Sequence, residues 1–161
     1  MSALFFTGHY FIREFYEIYK IKSIQLLFYY FYKTTDFMEF KIDTKESFSV
    51  ITPSTDTISA KLADALKLEC EYLRQIGSKN YIIDLQNIES LEENALNQIV
   101  ALHEFIYGLE ESLVFTNMNE NILRDLRKQE ADLMLNLAPK MAEAIDIISM
   151  EILERDLLSE E

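Results

Sequence analysis

Short β-rich runs alternate with amphipathic helical patterns over residues 38–158, and this alternation does most to constrain the fold. The runs MEFKID, FSVITP, YIIDL and SLVFTNM are rich in Val, Ile, Phe and Tyr, which favour strands. Between them, apolar residues recur every three or four positions, which predicts helices. Strands that alternate with such helices favour a mixed or parallel sheet with crossover helices.

Local signals place the first elements. The runs MEFKID and FSVITP predict a hairpin, and YIIDL, which is apolar on both faces, predicts a central strand. Helices are predicted over about residues 58–76 and 93–107. Gly77 and Gly108 mark their ends.

The last third of the chain predicts two more helices and a strand. Asn119 is the expected N-cap of the first helix, and LMLNLA is the expected edge strand. Pro139 fits the first turn of the last helix, which reaches about Leu158. This helix has a second apolar face, which could cover the N-terminal strands, pack on residues 1–37 or form the seam of a homodimer. We favour packing within the chain for its residues, which are Ile147, Met150, Leu153, Leu157 and Leu158.

The charge balance limits the class of partner. The chain carries 15 basic and 28 acidic residues, a net charge of −13. Nucleic acids and anionic membranes would be repelled, so we expect a protein partner with a basic or mixed-charge surface. The single Cys70 excludes an internal disulfide and a thiolate zinc cluster, and a cytoplasmic location is the default expectation.

Motifs for catalysis, metal binding or cofactor binding are missing from the sequence. The glycines, Gly8, Gly77 and Gly108, are too far apart to form a phosphate-binding loop. His103 and Cys70 each lie on the apolar side of a predicted helix, and we interpret Cys70 as a core residue and His103 as a core or boundary residue. We therefore predict that the chain is not an enzyme and that it uses no metal and no cofactor.

Residues 1–37 differ in composition from the rest of the chain. They hold 13 of the 20 Phe and Tyr residues and have a net charge of +1, whereas the remaining residues carry −14. The apolar run between Lys22 and Lys33 is about half the ~20 residues that a membrane-spanning helix needs. Three interpretations stay open for this extension. It is an interfacial anchor that contacts the membrane, an element packed on the domain at 38–161, or sequence upstream of a true start at Met38.

A family resemblance is carried by the order of elements and by three stretches, NYIIDLQNIESLEENALNQIVALHEFI, SLVFTNMNENILRDL and LNLAPKMAEAIDI. Over about residues 38–148 the chain resembles the STAS domain, the fold of bacterial anti-sigma factor antagonists and of the cytoplasmic tails of sulfate transporters. The resemblance implies an α/β fold with a mixed sheet of four to five strands and about four packed α-helices. It also implies a non-enzymatic regulatory module whose partner is an anti-sigma-type kinase. The alternative is an accessory STAS-like subunit of a membrane transporter complex.

The turn after the strand YIIDL departs from the family's pattern. Family antagonists carry Asp-Ser-Ser-Gly-Leu there and are phosphorylated on a Ser of this turn by a partner kinase. Aligned on Leu96, the four preceding positions in this chain are Glu92, Glu93, Asn94 and Ala95. The turn therefore lacks a phosphate acceptor, and Ser90 does not match the family position.

Two interpretations of these carboxylates stay open. In the first, Glu93 imitates a phosphorylated residue, although one negative charge only partly matches a phosphoserine. In the second, the carboxylates stabilise the positive end of the helix dipole by roughly 0.3–1 kcal/mol, and Asn94 or Glu92 caps the helix. The resemblance places partner contacts in two regions at one end of the domain. The predicted contact residues are Ser54, Thr55, Asp56, Thr57, Glu92, Glu93, Asn94, Ala95, Asn97 and Gln98.

Overall fold

The computed structural model describes residues 39–159. The extension at 1–37, its boundary at Met38 and its interpretation as a membrane anchor lie outside these residues. Within the described part, none of the helices combines the length and apolar character needed to cross a bilayer.

The strands of the described chain form a five-stranded mixed sheet and a separate two-stranded ladder. In chain order they are β1 (Phe40–Thr44), β2 (Ser49–Pro53), β3 (Thr57–Ile58), β4 (Asn80–Asp84), β5 (Ser90–Leu91), β6 (Ser112–Thr116) and β7 (Leu137–Ala138). The sheet order is β1-β2-β4-β6-β7, with β1 antiparallel to β2 and the other neighbours parallel. This confirms the predicted hairpin, the central position of YIIDL and the edge position of the last strand.

Helices lie on both faces of this sheet, which confirms the predicted α/β class. They are α1 (Ala60–Gln75), α2 (Leu96–Tyr107), α3 (Glu120–Lys128) and α4 (Met141–Ser159). Successive residues of a strand point to opposite faces. Tyr81 and Ile83 of β4 accordingly join the core built with α1, α2 and α3, whereas Ile82 joins Ala144 and Ile148 of α4.

Several element boundaries differ from the predicted ones. The first helix begins at Ala60 because the Ser59 hydroxyl accepts a hydrogen bond from the Leu62 backbone N–H at 3.1 Å and acts as the N-cap. Position 58, predicted to be helical, lies in β3. Ile76 is the last residue of the predicted helix. In the structure it is 59% exposed, because it is the C-cap beyond the last turn.

The last third of the described chain also needs corrections. The predicted strand LMLNLA contributes only its final two residues to β7, and Leu133 belongs to a 3₁₀ turn, Ala131–Leu133. Pro139 lies two residues before α4 rather than in its first turn. The prediction of Asn119 as an N-cap is confirmed, since its Oδ1 accepts from the Ile122 N–H at 2.9 Å.

The second apolar face of α4 is largely uncovered by the other described residues, and the predicted alternative of packing on residues 1–37 lies outside them. Its members were expected to pack within the chain, yet four of them are exposed to solvent in the described structure. The exposed fractions are 71% for Met150, 60% for Leu153, 60% for Leu157 and 66% for Leu158. The strands β1 and β2 therefore do not cover these four side chains.

Candidate protein-binding surface

The candidate surface lies at one edge of the sheet, where three strands end. Because β2, β4 and β6 run parallel, their carboxyl ends Pro53, Asp84 and Thr116 lie at the same edge. The loops that follow these strands therefore emerge together. In open α/β sheets this edge is where binding sites form most readily.

A short parallel ladder joins the two predicted contact regions. Thr57 pairs with Ser90 and Ile58 pairs with Leu91. The Glu92 N–H donates to the Ile58 carbonyl at 2.9 Å, which continues the ladder into the turn. The predicted loop at 54–57 thus lies directly beside the segment that leads into the predicted turn. We call residues 54–57, 89–94, 97 and 98 together the turn surface.

The turn surface is exposed and acidic. Among the predicted contact residues, Ala95 is buried, Thr55 and Thr57 are half-buried and the others are exposed. Four carboxylates belong to the surface and are exposed, those of Asp56, Glu89, Glu92 and Glu93. The stretches 54–59 and 86–98 contain no Lys or Arg. Their negative charge is therefore not neutralised from within these stretches.

The turn itself precedes the helix and does not cap it. Helix α2 begins at Leu96, three residues later than predicted, and the Ala95 N–H donates to the Glu92 carbonyl at 3.0 Å to close a turn. The N-cap is Ala95 in an αR conformation, and no side chain hydrogen-bonds to this helix start. The interpretation of Asn94 or Glu92 as the capping residue is therefore wrong. The carboxylates are left with only a general electrostatic relation to the helix dipole.

Amide side chains hold the loops of this edge in place. Asp84 Oδ1 accepts hydrogen bonds from the Gln86 N–H at 3.2 Å and from Asn117 Nδ2 at 2.9 Å. Asn87 Nδ2 donates to the Pro53 carbonyl at 3.0 Å. Asn119 Nδ2 donates to the Ile88 carbonyl, also at 3.0 Å, so the cap of α3 also anchors the segment before the turn.

Asn119 was predicted as the N-cap of α3, but the sequence did not predict the contacts by which these amide side chains hold the loops. A cluster of Asn residues after strands is a signal for turns, but it does not say which carbonyl each amide will reach. A two-residue ladder such as β3–β5 is likewise too short to have a periodic pattern.

The hydroxyl nearest to the turn, that of Ser90, forms a hydrogen bond within the β3–β5 ladder. Ser90 Oγ and Thr57 Oγ1 are 2.9 Å apart and share a hydrogen bond, and Thr57 Oγ1 also contacts Asp56 Oδ1 at 2.9 Å. This places Ser90 on an extended strand, before the turn that the Ala95 N–H closes on the Glu92 carbonyl.

The two residues that we interpreted as core or boundary residues are indeed in the core. Cys70 is fully buried, and burial raises the pKa of its thiol well above the usual value, so the reactive thiolate is disfavoured. His103 is buried, and its Nε2 accepts from the Asn136 N–H at 3.3 Å. Burial also lowers the pKa of His103. The Cys70 side chain therefore serves packing, and the His103 side chain serves packing and hydrogen bonding.

Comparison with solved structures identifies the fold. The Thermotoga maritima protein TM1081 superposes with a TM-score of 0.60 at 16% identity, covering 71% of this chain and 91% of that protein. An anti-sigma factor antagonist from Mycobacterium paratuberculosis gives 0.57 at 20% identity, covering 71% and 97%. The chain has a STAS-like fold. The anti-sigma factor antagonist SpoIIAA in its unphosphorylated form gives 0.53 at 9% identity, covering 69% and 96%. Neither the protein-family models nor the curated proteins contain a match to this STAS-like chain.

Proposed function

We propose that this chain is a non-enzymatic regulatory module that binds a protein partner through the turn surface. The observation that supports this best is the β3–β5 ladder. It brings two exposed loops together at one edge of a STAS-like sheet, and the combined surface carries four carboxylates. Solved anti-sigma factor antagonists share this fold.

The proposed partner is an anti-sigma-type kinase, or a relative of one, that presents basic side chains to the turn surface. Opposite charges across an interface raise the association rate and exclude partners of like charge. The turn holds Glu93 and Asn94 where the family pattern has two serines. The negative charge in this chain is thus permanent, and binding to the partner does not depend on phosphorylation of the turn.

Charge reversal tests the position of the binding surface. We expect Glu92→Lys together with Glu93→Lys to weaken binding to an anti-sigma-type kinase of the same genome by at least about tenfold. Calorimetric titration measures the affinity. The matched control is Glu46→Lys with Glu104→Lys, which makes the same change in net charge at two exposed positions outside the turn surface. Equal weakening by both pairs would show a general charge effect and contradict the proposed location.

Restoring the family pattern tests the loss of the phosphorylation switch. The variant with Glu92→Asp, Glu93→Ser, Asn94→Ser and Ala95→Gly carries Asp-Ser-Ser-Gly before Leu96. With the same kinase and ATP, we expect phosphate on an introduced serine of this variant and none on the natural chain. Phosphopeptide mass spectrometry locates the phosphate. Phosphate on Ser90 of the natural chain would contradict the proposal that the switch is lost.

A further inference from the structure

The outward side of α4 carries an apolar stripe that the proposed function does not use. Met150, Leu153, Leu157 and Leu158 follow the spacing i, i+3, i+7 and i+8, which places them along one side of a helix. Each is at least 60% exposed in the described structure, whereas Ala144 and Ile148 on the inward side are fully buried. We call these four residues the α4 stripe. Amphipathic helices that dock on proteins bind to such rows of apolar side chains.

The exposed charged side chains of helix α4 itself are all of one sign. Helix α4 contains a single basic residue, Arg155, and its guanidinium donates to Ser112 Oγ at 2.7 Å and to Asn80 Oδ1 at 2.6 Å. Arg155 is therefore directed at the sheet. The exposed charged side chains of α4 are the carboxylates of Glu143, Asp146, Glu154 and Asp156.

We propose that the α4 stripe docks a basic amphipathic helix of a second protein partner. Apolar residues of that helix would cover the stripe, and its Lys and Arg side chains would pair with the flanking carboxylates. A second copy of this chain would instead bring acidic flanks against acidic flanks, which costs free energy. An anionic lipid surface is disfavoured for the same reason.

The α4 stripe and the turn surface lie toward opposite edges of the sheet. Arg155, which lies within the span of the stripe, contacts Asn80 and Ser112, the first residues of β4 and β6. The turn surface follows the last residues of the same strands. One module can therefore hold two protein partners at once, one at each surface.

A peptide probe tests the proposal on the full chain. The probe is a synthetic 18-residue Leu/Lys peptide with Leu at helical spacing and one Trp on its apolar side. The chain has no Trp, so the emission reports the peptide alone. We expect a blue shift on binding. Leu153→Asp should weaken binding at least about tenfold, as expected for a central apolar contact. The matched control, Leu133→Asp, should change it by less than about twofold, since Leu133 is 83% exposed outside α4.

Further measurements distinguish the basic amphipathic helix from the other possible occupants of the α4 stripe. A scrambled peptide of the same composition must bind less tightly, because equal binding would mean attraction to net charge alone and would overturn the proposal. Equal weakening of peptide binding by Leu153→Asp and Leu133→Asp would also overturn the proposal. Sedimentation equilibrium that finds a dimer dispersed by Leu153→Asp would assign the stripe to a second copy. A photo-crosslinker in place of Leu157 that joins residues 1–37 within a monomer would assign it to the chain's own extension. Leu153→Ala, which adds no charge, guards against an effect on folding.

Discussion

The turn surface at the carboxyl edge and the polar residues at the amino edge of the parallel strands use their side chains in opposite ways. At the carboxyl edge, the charges of the turn surface are exposed, and no side chain caps the helix that follows. At the amino edge, Asn80 and Ser112 are buried and receive hydrogen bonds from Arg155. Nearby, Glu151 of α4 accepts hydrogen bonds from Tyr107 Oη at 2.5 Å and from Asn136 Nδ2 at 2.6 Å. We call the polar residues around α4 the α4 polar network; they are Asn80, His103, Tyr107, Ser112, Asn136, Glu151 and Arg155.

The contrast separates side chains that hold the fold from side chains that are free to bind. A buried polar group stabilises only while it is paired, and removing its partner costs the full desolvation penalty. An exposed carboxylate gains little from the fold, because water screens it. Changes in the α4 polar network should therefore appear in the free energy of unfolding. Changes in the turn surface should appear in affinity for a partner.

The largest expected effect comes from removing Arg155. Arg155→Met keeps an unbranched apolar stem but removes the guanidinium, which leaves Asn80 Oδ1 and Ser112 Oγ without this donor. We expect the free energy of unfolding to fall by about 2–3 kcal/mol, measured by urea denaturation. The control Arg124→Met removes an exposed guanidinium that donates a hydrogen bond to the exposed Asn121 Oδ1 at 3.0 Å, and should cost less than about 0.5 kcal/mol. Similar losses of unfolding free energy in both variants would contradict the contrast between paired buried groups and exposed groups.

Two residues with positive φ flank β6, and they sharpen the comparison. Glu110 lies before the strand with φ 59° and Asn117 follows it with φ 56°, a region that favours glycine. Glu110→Gly should raise the free energy of unfolding by about 0.5–1 kcal/mol, because it relieves backbone strain. Asn117→Gly should bring no such gain, because it also removes the hydrogen bond to Asp84. Thermal unfolding of both variants checks this, and equal gains would mean that the Asp84 contact contributes nothing.

Acidification should weaken the α4 polar network through His103. Burial lowers the pKa of His103 from its usual 6.5, outweighing the opposite effects of Glu151 and Glu104. The folded state therefore binds the proton less readily than the unfolded chain. The stabilising contribution of neutral His103 is complete above pH 6.5 and is lost as pH falls through the folded pKa.

The variant His103→Gln isolates this effect, since its amide oxygen accepts the same hydrogen bond without titrating. We expect the stability advantage of the natural chain over the variant to shrink between about pH 7.5 and 5.5, by less than the loss caused by Arg155→Met. Urea denaturation at each pH gives the difference. An advantage that grows on acidification would reverse the sign assigned to His103.

The sequence predicts the strands, the helices and the sheet class well because each has a period of its own. The run YIIDL, which is apolar on both faces, indicates a central strand, and Asn119 indicates a helix start, since these signals are local. The partners of Arg155 are not predictable in this way. Asn80 and Ser112 lie 75 and 43 residues away along the chain and meet Arg155 only when α4 crosses the sheet.

Part of the candidate surface was predictable for the same reason. The exposure of Glu92, Glu93 and Asn94 follows from a polar turn between a strand and a helix. The capping role was wrong because the polypeptide enters α2 through a turn that already has helical backbone angles at Ala95, whereas a side-chain cap needs an extended residue. The spacing of residues in the sequence does not distinguish these two ways of starting a helix.

The smallest expected effect, and the strictest test of the contrast, is neutralisation of the turn. Glu92→Gln with Glu93→Gln keeps both side-chain shapes and removes two charges. Because neither residue caps α2, the free energy of unfolding should change by less than about 0.5 kcal/mol, the scale of an exposed charge near a helix dipole. The same double variant should bind the kinase partner less tightly than the natural chain. A loss of stability above about 1 kcal/mol, the typical cost of losing a cap, would mean that these carboxylates hold the helix start after all. The turn surface would then belong with the α4 polar network as a structural feature, and its acidic charge would need no partner to explain it.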